Sequence, residues 1–245
     1  MSKHGLGYLP DTFDRRDYRF SSALPPQAIP AASSLPRGAQ PVLDQGQLGS
    51  CVWNAMAGAV LFHQPDFMLS RLYGYYRTRV IEHSTKEDAG CQIRDAVKVL
   101  VKDGAPPESD WPYDISKFAR RPPAKAYRDA KKEVVLKYER IATPHDARAC
   151  IASGNPYLVG FLLYESFESE EVARTGHVPL PSPGERIIGG HCVLGWGYDP
   201  QNDTFLNSWA EDWGDKGFFH MPRGYLDDPK LASDMWAIQI CQQAA

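Results

Sequence analysis

The stretch Pro41-Val42-Leu43-Asp44-Gln45-Gly46-Gln47-Leu48-Gly49-Ser50-Cys51 runs directly into Val52-Trp53-Asn54-Ala55-Met56-Ala57-Gly58-Ala59-Val60-Leu61-Phe62. The second part is apolar nearly all round, the pattern of a helix buried on every side. Gly49-Ser50 lets the chain turn sharply into it, so Cys51 falls at the helix N-terminus. There the unpaired N–H groups and the helix dipole favour negative charge, and the thiolate is the attacking form of cysteine.

Two later segments supply partners for that thiol. Gly189-Gly190-His191 precedes an apolar strand that begins at Cys192, and Asn207-Ser208-Trp209 lies on the strand after it. An imidazole beside the thiol stabilises the thiolate as an ion pair and later protonates a leaving amine. A carboxamide accepting from the other ring nitrogen holds the imidazole in orientation, the Cys-His-Asn version of a nucleophile triad. The Gln45 side chain and the Cys51 N–H are candidate donors for the oxygen of a tetrahedral intermediate. Cys91, Cys150, Cys192 and Cys241 read first as small buried hydrophobes. His4, His63, His83, His145, His177 and His220 read as surface or satisfied core residues.

Composition narrows the alternatives. With 245 residues, 43% hydrophobic and 23% charged, the chain suits one or two globular domains and is neither disordered nor collagen-like. A formal charge of −3 gives no global attraction to nucleic acid or to an anionic membrane. The pairs Arg120-Arg121 and Lys131-Lys132 read as solvated faces. Met1 to Asp14 carries Lys3, Asp11 and Asp14 without an apolar run, unlike a signal peptide or a membrane span. A reduced, cytoplasmic monomer is the expectation, with signal-less secretion as the other route. Five cysteines without a Cys-x-x-Cys pair offer no zinc pattern, and neither a metal nor an organic cofactor is expected. A phosphate-binding Gly-x-x-x-x-Gly-Lys run is missing, and Gly5-Leu6-Gly7 lacks the third glycine of a dinucleotide fingerprint.

Residues 1 to about 40, with Leu24-Pro25-Pro26 and Ile29-Pro30, read as an extended arm. Ser70 to His83 reads as a serine-capped helix, and Ile93 to Lys102 as a helix closed by Gly104. Thr143-Pro144-His145-Asp146 opens a short capped helix that stops at Gly154. The spans Tyr157–Tyr164, Cys192–Tyr198, Thr204–Ser208, Phe218–Met221 and Met235–Ile240 read as strands. Helices followed by strands predict an α+β protein of two lobes with its site in the cleft between them.

These motifs resemble the papain family of cysteine peptidases, from Ile29-Pro30 through the Gln45–Cys51 run and Gly190-His191-Cys192-Val193 to Leu206-Asn207-Ser208-Trp209 and Trp213-Gly214. The short arm, with Leu6-Gly7-Tyr8-Leu9-Pro10, resembles a bacterial branch of it. The resemblance implies a papain-like fold over 29–245, with a helical left lobe mainly in 45–125 and a β-barrel-like right lobe mainly in 130–245. It implies Cys51 as nucleophile, His191 as acid and base, Asn207 as its orienting partner, Gln45 as oxyanion donor and Trp209 as a shield over the Asn207–His191 bond. Gly90 or Cys91 would pair with substrate backbone. Gln92, Ile93, Gly189, Cys192 and Ser233 would line an uncharged pocket for an apolar P2 side chain, the second before the scissile bond, and Gly190 and Trp209 would also contact substrate.

The implied activity is hydrolysis of protein or peptide substrates through an acyl-enzyme. A transamidase or amidase with the same triad, and a non-catalytic peptide binder, are the other readings. Leu48 stands where secreted relatives carry a disulfide cysteine, in keeping with a reduced enzyme. Residues 1–28, too short for the family's helical prosegment, are expected to lie over the cleft as an intramolecular inhibitor.

Overall fold

The computed structural model describes residues 3–12, 14–17, 29–38, 41–130 and 136–240. Leu24-Pro25-Pro26, Lys131-Lys132 and Cys241 lie outside them. In chain order the elements are β1 (Tyr8–Leu9), β2 (Ser33–Ser34), α1 (Cys51–His63), α2 (Arg71–Ile81), β3 (Cys91–Gln92), α3 (Ile93–Asp103), α4 (Ala124–Asp129), β4 (Leu136–Ile141), α5 (Pro144–Ala152), β5 (Tyr157–Tyr164), α6 (Glu170–Thr175), β6 (Ile187–Tyr198), β7 (Asn202–Leu206), β8 (Phe218–Pro222), α7 (Arg223–Asp227) and β9 (Ala232–Ile240).

Helix α1 is the axis of the molecule. Every residue from Cys51 to Leu61 is buried, because the segment has no polar face to offer solvent. It ends at His63, where Pro65 biases Gln64 away from helical geometry. Helix α2 packs against it through Trp53, whose indole N–H donates to Thr78 Oγ1 at 2.8 Å. Ser70 starts α2: its hydroxyl accepts the Tyr73 N–H at 3.2 Å and donates to the Trp111 carbonyl at 2.7 Å. Helix α3 buries Ile93, Ala96, Val97 and Leu100 and stops where Gly104 takes φ +72.

The second lobe is an antiparallel sheet in the order β4-β9-β5-β6-β7-β8, with β2 added on β6. Among the described residues β4 and β8 do not pair, so the sheet curls without closing into a barrel. Strand β6 begins before Cys192, because Leu162, Leu163 and Tyr164 of β5 pair with Gly190, Gly189 and Ile187. Gly189-Gly190-His191 therefore lies within a strand. Strand β7 stops at Leu206, leaving Asn207 and Ser208 just beyond it. Strand β4 escaped the pattern because, as an edge strand, it carries Lys137, Glu139 and Arg140. Thr143 caps α5 as expected, its hydroxyl accepting the Asp146 N–H at 3.1 Å.

The four described cysteines, Cys51, Cys91, Cys150 and Cys192, are free and buried. Among the described residues no helix is long and apolar enough to cross a membrane.

Replacing Ser70 with alanine removes the α2 cap and strands the Trp111 carbonyl, so stability should fall by about 0.5–2 kcal/mol in urea unfolding. A midpoint unchanged from wild type would mean that the cap contributes nothing.

Candidate active site

Cys51 is the first residue of α1, and His191 lies on β6, the strand that packs on that helix. Both are fully buried. His191 Nε2 lies 2.8 Å from Asn207 Oδ1. The same oxygen accepts the Ser208 N–H at 2.8 Å, which fixes the carboxamide just past the end of β7. Among the described residues His191 Nδ1 has no hydrogen-bond partner.

Gln45 is also fully buried. Its backbone N–H donates to the Ser208 carbonyl at 3.0 Å, and its Oε1 accepts the Ser208 hydroxyl at 2.7 Å. Those two bonds decide which way the amide points, and Nε2 is left to donate to the carbonyls of Gly5 at 2.8 Å and Leu48 at 3.0 Å. A side-chain amide aimed at a peptide carbonyl beside a cysteine is the geometry of an oxyanion donor.

Trp209 stacks on His191 with centroids 4.9 Å apart and meets Trp213 edge-on at 4.9 Å. Phe167 and Phe219 pack behind Trp213. The two tryptophans thus form one aromatic wall beside the His191–Asn207 pair, where water exclusion strengthens the hydrogen bond.

The arm fills the cleft. His4 stacks on Trp209 at 4.1 Å, so it belongs to the site and not to the surface or core set expected for it. Gly5 N–H donates to the Gly46 carbonyl at 3.1 Å. At Gly7 the two backbones touch: a Cβ there would lie 1.7 Å from the Gly49 carbonyl oxygen. Beyond it β1 pairs with β3 in parallel, Tyr8 opposite Cys91, and the Cys91 N–H donates to the Gly7 carbonyl at 2.8 Å.

Tyr8 drops into a pocket whose wall is Gly160; a Cβ on that glycine would meet the ring at 2.2 Å. Its hydroxyl reaches Ser233 Oγ at 2.8 Å and donates to Asp234 Oδ2 at 2.5 Å. Asp234 also accepts the Asp11 N–H at 2.6 Å and the Arg140 guanidinium. Asp11 in turn accepts from the Arg94 N–H and the Trp236 indole at 3.0 and 2.8 Å.

Most of the expected lining touches this arm. Gly90 and Cys91 face Gly7, Gln92 pairs with Leu9, Gly189 abuts Leu6, Gly190 abuts the Tyr8 carbonyl and Ser233 meets the Tyr8 hydroxyl. Cys192 turns its N–H toward the Cys51 sulfur instead. Ile93 is fully buried at the start of α3. The lining expected to be uncharged carries the Asp234 carboxylate, which a match to local motifs passed over because its neighbour Ser233 filled the aligned position.

The sequence profile described as papain family cysteine protease matches residues 29–238. The chain belongs to the papain family of cysteine proteases. A peptidase C1-like protein of Acanthamoeba polyphaga mimivirus is 42% identical over 214 residues, 80% of this chain and 69% of that one. The crystal structure of xylellain, a cysteine protease from Xylella fastidiosa, superposes with a TM-score of 0.90 at 35% identity, covering 98% of this chain and 97% of that one. Cathepsin B-like cysteine proteinase 3 of Ostertagia ostertagi is 33% identical over 115 residues, 44% of this chain and 62% of that one.

In this papain-like cysteine peptidase burial shifts the titration of both Cys51 and His191. Burial pushes the Cys51 thiol up to about 11, although the N–H groups of Cys192, Gly7, Val52 and Cys51 itself pull the other way. Burial pulls the His191 imidazole down to about 4, opposed by the Asn207 hydrogen bond and helped by His4. Both shifts favour the neutral thiol and imidazole over the thiolate–imidazolium pair. Relative to the ordinary 6.5, the lowered His191 contributes stability present above about 6.5 and lost as pH falls through about 4. The raised Cys51 contributes below its ordinary 9.0, and that contribution is lost as pH rises through about 11.

In the full chain the His191 ring should therefore titrate near 4 by NMR. Gly7→Ala, which forces the arm off the Gly49 carbonyl, should move the midpoint upward. A midpoint that stays put would show that the arm does not desolvate the ring.

Proposed function

We propose that the protein is an endopeptidase in which Cys51 is the nucleophile, His191 the acid and base, Asn207 its orienting partner and Gln45, with the Cys51 N–H, the oxyanion donor. The observation that supports this most is the alignment by hydrogen bonds: Nε2 of His191 is held on Asn207 at 2.8 Å, and Gln45 Nε2 already grips a peptide carbonyl at 2.8 Å. The sulfur adds to the substrate carbonyl carbon, and the C–N bond breaks as His191 delivers the thiol proton to the leaving amine. Water, giving its proton to His191, then hydrolyses the thioester and restores the thiol.

The arm is an intramolecular inhibitor. It spans the site by backbone contact at Gly5 and Gly7 and is tied down by Tyr8 and Asp11. The pocket that holds Tyr8 receives the P2 side chain of a substrate once the arm has left. Glycine walls give it room for a ring and Asp234 gives it an acidic floor, so tyrosine or a basic side chain is preferred there over a purely apolar one.

Turnover of a fluorogenic peptide with tyrosine at P2 tests the reading. Cys51→Ala should abolish it, and Gln45→Ala should lower kcat about 100 to 1000-fold. Overpacking at Gly7 costs about 1–3 kcal/mol, so Gly7→Ala should raise kcat/KM of the full chain about 5- to 150-fold. Full activity in Cys51→Ala would sink the triad, and release of amine adducts in place of acid would make the enzyme a transamidase.

In the Gly7→Ala background, Asp234→Ala should lower kcat/KM for tyrosine or arginine at P2 relative to leucine. An unchanged ratio would remove Asp234 from selectivity.

A further inference from the structure

Three groups outside the triad form a continuous hydrogen-bonded chain between the two edges of the cleft. Tyr75 is fully buried on α2. Its hydroxyl accepts the Gly90 N–H at 3.0 Å and donates to Asp88 Oδ1. The Asp88 carboxylate accepts the Gly49 N–H through both oxygens, at 3.1 and 3.0 Å. Gly49 is two residues before Cys51, and Gly90 is the residue before Cys91, whose N–H holds the extended arm at the Gly7 carbonyl.

Behind them Arg79, fully buried, donates to the carbonyls of Thr85 at 3.2 Å, Glu87 at 2.6 Å and Phe118 at 2.6 Å. Its guanidinium lies 4.0 Å from the Tyr75 ring centroid. That grip fixes the loop that carries Asp88, although Asp88 itself is solvent-exposed on one side. Burial and the Asp88 carboxylate together push the Tyr75 phenol upward, so it stays protonated as a donor.

We propose that Tyr75 and Asp88 are positioning residues of the peptidase: a brace that holds the strand edge with which a bound chain pairs at a set distance from the loop that presents Cys51. The proposal rests on Cys51 as nucleophile. A peptide paired along β3 is aligned on the sulfur only while that distance is kept, and a displacement of about 1 Å can lower a rate about 100-fold. A small ester that does not reach β3 is indifferent to it.

The test uses the full chain carrying Gly7→Ala, alone and with Tyr75→Phe, Asp88→Asn or Asp88→Ala. Two rates are compared, kcat/KM for a tetrapeptide coumarin amide and acylation of Cys51 by p-nitrophenyl acetate. Tyr75→Phe and Asp88→Ala should lower the peptide rate about tenfold or more, mainly in kcat, and leave ester acylation within about twofold. Asp88→Asn, which keeps an acceptor for the Gly49 N–H, should recover most of the peptide rate. Peptide and ester rates falling together, or neither falling, would overturn the brace.

Amide exchange gives a readout free of turnover. Tyr75→Phe should speed exchange at Gly49, which the phenol does not touch, as well as at Gly90; a change confined to Gly90 would overturn the coupling. If the peptide is not cleaved by any form while Cys51 still takes up the ester, the endopeptidase reading fails and the exchange result alone decides the brace.

Discussion

Helix α1 can sit only where nothing but protein surrounds it, and that constraint organises the molecule. Eleven consecutive buried residues, Cys51 to Leu61, leave no edge that tolerates water, so α2 and α3 close on one side and the sheet on the other. Burying side chains of this kind is worth about 1.5–3 kcal/mol each, enough to place the helix end without help from local propensity. Because Cys51 is the first residue of that helix, its sulfur is fixed where the lobes meet. His191 on β6 and Gln45 in the preceding loop are then registered to it by the Ser208 contacts and the Asn207 bond.

The same burial favours the uncharged forms of Cys51 and His191. An ion pair of thiolate and imidazolium needs either water or a well-aligned partner to offset desolvation. At Cys51 the arm contributes the Gly7 N–H, and at His191 it contributes the nearby His4 ring. Burial is the larger effect at both groups. The close approach of Gly5 and Gly7 to the 45–49 loop is what brings the arm against this part of the molecule.

Hydrogen bonds replace covalent ties on the helical side of the cleft. Beside Leu48, the Gly49 N–H is held by the Asp88 carboxylate, which accepts from Tyr75 and sits on the loop that Arg79 grips. Such a link survives in a reducing environment, where a disulfide does not.

The residues proposed to carry chemistry each sit in a local pattern. Cys51 opens an apolar helix, His191 follows two glycines, Asn207 and Trp209 share one short motif, and Ser70 and Thr143 advertise helix starts. The contacts that close the cleft have no such pattern. Tyr8 meets Asp234 and His4 meets Trp209 across most of the chain length, and the Asp11 anchor is equally distant in sequence. Asp88 is an exposed acid in a loop, indistinguishable in sequence from any solvated carboxylate until Gly49 and Tyr75 converge on it. Period, capping and turn chemistry are written in neighbouring residues, so the sequence alone determined the buried helix that starts at Cys51, the capped helix starts and the α+β class. Which arm atoms cover the sulfur, and what fills the Tyr8 pocket, depend on desolvation and fit between distant backbones, and only the tertiary structure decided them.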